Sequence, residues 1–252
     1  MHYKTYRPEG VLADFIGQFY WGSREATDTS YHATAKTGTI LTFTFNQQSD
    51  TSRQLICASI EGQTERFTTY TANGFDTFLS VTLHPGAVSS ILQCPPAMLQ
   101  DNFVHLDDLL GKKGKLLEEK IASASSNESR ILLLQDFIRS QLALDGKKDQ
   151  LIIKAVQQIR KQRGNVNIDA LASDCALSKK QFERRFKQQT GFNPKLYSRI
   201  VRFEFTLTER KYYTSLTGLA HAAGYYDQAH FIHEFKKFTG FTPSSYLSFD
   251  EG

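Results

Sequence analysis

The chain has 252 residues, 40% hydrophobic and 22% charged, with a net charge of +4. That is enough chain for one large or two ordinary domains, and a balance that excludes a disordered or fibrous protein. Cys57, Cys94 and Cys175 stand far apart with no C-x-x-C spacing, "MHYKTYRPEG" lacks a secretion signal's apolar core, and no apolar run approaches a membrane span, so a cytoplasmic protein without membrane contact is expected.

The first third reads as strands. The aromatics Phe15, Phe19, Tyr20 and Trp21 either line a pocket or form a core face. Leu41, Phe43 and Phe45 alternate with Thr42 and Thr44, and Leu79, Val81 and Leu83 alternate with Ser80 and Thr82. Between them "QLICASIEG" and "ERFTTYTANG" are short β-favouring runs. An antiparallel sheet or small barrel over roughly residues 30–85 is predicted. His32, His84 and His105 are scattered, with no H-x-H pair, which does not point to a metal site. Next, "GAVSSILQCPPAML" reads as a short helix stopped by Pro95 and Pro96. "LLGKKGKLLEEKIASA" and "ESRILLLQDFIRSQLAL" carry apolar residues at helical spacing.

The polar run Asp145 to Gln150 marks a boundary, and everything after it reads as helices. Two domains are predicted, 1–146 and 147–252. Their charges differ: 12 Lys+Arg against 16 Asp+Glu in the first, 18 against 10 in the second. A basic half behind an acidic one suggests that only the second faces nucleic acid.

The second half contains a repeat. "ALSKKQFERRFKQQTGFNPKLY" and "GYYDQAHFIHEFKKFTGFTPSSY" superpose at an offset of 49, placing Phe182 on Phe231, Phe186 on Phe235 and Pro194 on Pro243. Upstream, Leu171-Ala172 matches Leu219-Ala220 at an offset of 48, so the second copy has one extra residue in its turn. Each copy has the grammar of a helix-turn-helix. Ser178 and Asp227 are N-caps, and Gly191 and Gly240 end the second helices. The apolar face carries Phe182 and Phe186, or Phe231 and Phe235. Lys180, Arg184 and Lys187 face out in the first copy, with Glu183 on the flank, and Ala229, His233 and Lys236 in the second. Gln228 lies in the first turn, where such helices meet base edges. Arg suits guanine, Gln adenine and Glu cytosine. Lys179, Lys187, Lys236 and Lys237 are placed for phosphates. "PKLYSRIVRFEFTLTERKYY" joins the copies as a helix burying Leu196, Ile200, Phe203 and Leu207. Cys175 reads as a small buried residue.

On these motifs, residues 150–248 closely resemble the DNA-binding domain of AraC/XylS-type transcriptional regulators, which carry two helix-turn-helix units joined by a central helix. The resemblance places recognition positions at Lys180, Glu183 and Arg184, and at Gln228, Ala229 and His233. His230 stands where the family often has an aromatic and is expected to support packing or touch a phosphate. Ala229 cannot hydrogen-bond and His233 replaces a frequent Arg, so weaker reading by the second unit is expected. "CASIEGQTERF", "FLSVTLHPGAVSSIL" and "FVHLDDLLG" resemble a domain found in one branch of the family. Such domains sense small molecules or pair subunits, often on a cupin-like barrel.

The expected fold is therefore an α+β N-terminal domain, an antiparallel sheet or small cupin-like barrel plus helices, followed by an all-α domain of two helix-turn-helix units. The resemblance implies a transcriptional activator that binds double-stranded DNA, contacts RNA polymerase, and answers to a small effector or forms a homodimer. No cofactor and no catalysis are expected. An enzyme fusion of the DNA-repair methyltransferase kind would need clustered reactive cysteines, which the spacing argues against. A non-specific DNA-binding protein remains the other alternative.

Overall fold

The computed structural model describes residues 2–23, 30–47, 53–71, 77–144, 149–213 and 215–248; part of the predicted boundary at 145–150 lies outside them. The chain packs as two units. The first comprises residues 1–31, 38–63 and 71–148. The second comprises 149–252 together with two segments from earlier in the chain, 32–37 and 64–70.

The first unit is built on an antiparallel sheet. Its strands are β1 (His2–Tyr6), β2 (Ile16–Ser23), β4 (Thr39–Gln47), β5 (Arg53–Glu61), β7 (Thr77–Leu83) and β8 (Phe103–His105), in the order β1-β2-β7-β4-β5-β8. This order has two ends, so the sheet is open. The predicted alternation sets the register: Leu41 pairs with Val81 and Phe43 with Leu79, and all four are fully buried. On the other face the Thr42 and Ser80 hydroxyls hydrogen-bond at 2.9 Å. Phe19 and Trp21 join the apolar face, and Phe15 packs beside it. β1 and β2 extend the sheet well ahead of residue 30.

Helices close the core: α1 (Pro85–Leu92), α2 (Pro96–Leu99), α3 (Leu106–Leu110), α4 (Lys112–Ser123) and α5 (Asn127–Leu144). Val88, Ile91, Leu117, Ile121, Leu134 and Ile138 are buried against the sheet residues. Pro96 starts α2 at its first position, where its missing N–H costs nothing. Burial raises the Cys94 thiol to about 11, which keeps it protonated and inert. Cys57 and Cys175 are also free thiols, and Cys175 is buried as expected. Among the described residues no three His, Cys, Asp or Glu side chains are grouped to hold a metal ion, and no helix is long and apolar enough to cross a membrane.

The second unit is helical: α6 (Gln150–Lys161), α7 (Ile168–Asp174), α8 (Lys179–Thr190), α9 (Pro194–Glu209), α10 (Leu216–Ala222), α11 (Gln228–Thr239) and α12 (Pro243–Ser248). Its core gathers Phe182, Phe186, Tyr197, Ile200, Phe203, Phe231, Phe235 and Phe238. The central helix α9 has 16 residues, about 24 Å at 1.5 Å each, and a 3-10 turn at Arg210–Tyr212 ends it. Ile200 and Phe203 are fully buried on it, while Leu196 and Leu207 are half-buried. The early segments add β3 (Ser30–Ala33) and β6 (Thr68–Thr71), a two-stranded ribbon. The Ala35 N–H donates to Phe238 O at 2.9 Å, and Thr37 donates to the Glu204 carboxylate from its N–H at 2.7 Å and its hydroxyl at 2.9 Å. Burial pushes the Glu204 carboxyl above its ordinary range, against the pull of Arg160 and the Thr37 donors.

Candidate nucleic-acid interface

The repeat folds as two helix-turn-helix units, α7–α8 and α10–α11, and the paired residues do the same work in each. Asn167 caps α7 and Ser215, at an offset of 48, caps α10. Ser178 caps α8 by accepting from the Gln181 N–H, while Gln181 Oε1 accepts from the Ser178 N–H in a capping box. Asp227 caps α11 by accepting from the His230 N–H at 2.7 Å. Both helices end on a left-handed glycine, Gly191 and Gly240. The shared "TGF" also has a physical reason. Thr190 Oγ1 lies 2.9 Å from Phe186 O and accepts from the Phe192 N–H, and Thr239 makes the same bonds to Phe235 O and the Phe241 N–H.

These restraints fix which side chains face outward. Lys180, Arg184, Gln228, Ala229 and His233 are exposed, and Glu183 is half-buried. Lys187, His230, Lys236 and Lys237 are exposed too. The first unit thus presents cations along its second helix, whereas the second presents an amide, a methyl and an imidazole. Three residues carry local contacts. Lys179 ion-pairs with Asp169 at 2.9 Å, and that hydrogen bond raises its ammonium above the ordinary range. Gln228 accepts from the Thr217 hydroxyl at 2.9 Å. The His230 ring stands edge-on to Tyr225 at 5.4 Å.

Two ion pairs missed by sequence reading anchor the presenting helices. In the first unit the Asp149 carboxylate, the N-cap of α6, accepts from Arg185 Nε and Nη2 on α8, both at 2.7 Å. In the second, Arg199 on α9 donates to the buried carboxylate of Glu234 on α11. Arg185 and Glu234 are 49 residues apart, so they occupy the same place in the repeat with opposite charge. Burial pushes the Asp149 carboxyl up, but the Arg185 bond, the Ile152 N–H and the guanidinium charge outweigh it and hold it below the ordinary carboxylate range. A carboxyl held low stabilises the fold above its unfolded value and loses that contribution as pH falls through the folded value. The stability of the second unit should therefore drop as pH is lowered below about 4. Asp149→Asn should flatten that acid limb in helical circular dichroism; an unchanged limb would assign it to other groups.

A family model described as "Helix-turn-helix domain" matches residues 171–248, and one described as "Domain of unknown function (DUF6597)" matches residues 4–105. No curated protein matches the sequence. ToxT from Vibrio cholerae, in a structure at 1.65 Å, is similar at a TM-score of 0.50 and 12% identity, over 91% of this chain and 98% of that one. ToxT from Vibrio cholerae O395 gives 0.49 and 12%, over 91% and 97%. At such identity the likeness speaks for the fold. The chain therefore carries a helix-turn-helix domain over residues 171–248, here folded as two capped units, behind a separate domain of residues 4–105.

Proposed function

We propose that the chain reads a two-part promoter site, with α8 and α11 each entering a major groove of the same duplex. The supporting observation is the repeat itself: two helices with equivalent caps and anchors, joined by the single rigid helix α9. Recognition helices of this kind meet base edges with their N-terminal residues, and sites one turn apart lie roughly 34 Å apart on one face. Lys180, Glu183 and Arg184 would read the first element, with Arg184 suited to guanine. Gln228, Ala229 and His233 would read the second, Gln228 through adenine and Ala229 through a thymine methyl. Lys179, Lys187, His230, Lys236 and Lys237 would hold phosphates, with Lys179 exchanging Asp169 for DNA. A hydroxyl-radical footprint should give two protected patches on one face, roughly 10 base pairs apart; a single patch would reject the second reader.

Lys236→Ala is expected to weaken binding to every duplex by a similar factor and to lower the slope of log K against log salt by about one. A loss confined to some sequences would contradict its phosphate role.

We also propose that the domain of residues 1–146 senses a small effector or pairs subunits, and that the bound protein activates transcription through RNA polymerase. The family resemblance supports these readings. Sedimentation of the full chain tests pairing, since a monomer at every concentration rejects it. Run-off transcription from a selected site tests activation, since a fall in transcript makes the protein a repressor.

A further inference from the structure

The one-residue difference between the two repeats can be located. In the first unit the Leu177 N–H donates to Ala172 O at 3.0 Å, and the residue before it, Ala176, has φ of 53°. In the second the Tyr225 N–H donates to Ala220 O at 3.0 Å, and the preceding Gly224 has φ of 77°. Ala176 therefore matches Gly224 and Leu177 matches Tyr225, both at 48, whereas the caps Ser178 and Asp227 match at 49. The extra residue is Tyr226.

Its surroundings are unlike those of its neighbours. Tyr225 takes the core place of Leu177 and is 4% exposed, packed on Phe231. Tyr226 is 93% exposed, the most exposed large apolar side chain among the described residues. Among the described residues, no hydrogen bond or ring contact holds it there. The fold does not use this side chain, yet it stands immediately before the cap of α11, at the end that presents Gln228. It also stands on the unit whose outward face lacks an Arg or Lys at its three reading positions.

We infer that Tyr226 is a DNA contact: its phenol hydroxyl donates to a phosphate oxygen beside the second element of the site. A tyrosine hydroxyl is one of the donors that fix a protein's register on the duplex without reading sequence. The side chain loses only two rotatable bonds on binding, so a rigid exposed ring provides contact at low entropic cost. The extra residue thus offsets the weak reading by Ala229 and His233 through positioning. This inference rests on the DNA-binding reading above.

The test uses the full chain and a duplex that it selects from a random pool. Tyr226→Phe and Tyr226→Ala should each bind roughly ten- to a hundredfold more weakly, the loss of one hydrogen bond to a charged group. Both should keep the parent's thermal midpoint, since the side chain is outside the core. A neutral methylphosphonate at one phosphate of the second element should cost the parent the same factor and cost Tyr226→Phe nothing further. Parent-like binding by both variants would overturn the inference. So would a loss seen with Ala but not Phe, which would make the ring a base contact. Arg184→Ala is the control: if it loses affinity while the Tyr226 variants do not, only the inference about Tyr226 fails. If the parent selects no sequence, the DNA-reading proposal fails and takes Tyr226 with it.

Discussion

Arg199→Ala should destabilise the second helix-turn-helix by about 3 kcal/mol or more, the usual result of stranding one member of a buried ion pair. Glu234 is 2% exposed and, among the described residues, its Oε2 has no hydrogen-bond partner, so Arg199 is the partner that its carboxylate relies on. With the arginine gone, a carboxylate on the presenting helix is left buried without its partner. α11 would shift or unfold to reach water. The double variant Arg199→Met/Glu234→Leu should recover most of the loss, since an apolar pair of similar volume needs no desolvated charge. Urea unfolding followed by helical circular dichroism separates the cases. A double variant as unstable as the single one would show that Arg199 acts through packing against Phe238, which lies 5.8 Å below its guanidinium, and not through the charge.

Arg184→Ala carries the largest expected effect on recognition. The side chain is exposed one turn into α8, and Phe182 and Phe186 hold the helix from beneath without exposure. Loss of a bidentate guanine contact should cost about 1–3 kcal/mol on the preferred site and relax one base position only. Competition titrations against every single-base variant of the site would map it. Equal loss on all sequences would make Arg184 a phosphate contact.

The helix-turn-helix pair is legible in the sequence because its signals are local and doubled. Caps, a left-handed glycine and two phenylalanines at one-turn spacing repeat at a fixed offset. The sheet pattern of Leu41 to Phe45 and Leu79 to Leu83 is likewise local, because a face buried on one side alternates. β1 was not legible, since "HYKTY" is a partly exposed edge strand without apolar alternation. Nor could the sequence assign residues 32–37 and 64–70 to the second unit. Those contacts, such as Ala35 N–H to Phe238 O and Thr37 to the Glu204 carboxylate, join residues far apart in the chain, beyond the reach of local patterns. The anchoring pairs join residues 35 and 36 positions apart, beyond the reach of periodicity. The repeat offset did signal the inserted residue, but only its exposure separates Tyr226 from the buried Tyr225.

The central claim is that one chain carries two readers. In-vitro selection of duplexes from a random pool by the full-length protein tests it most directly. The recovered sequences should contain two short elements roughly 10 base pairs apart, set by the length of α9. Enrichment of one element alone, or no enrichment over the starting pool, would contradict it.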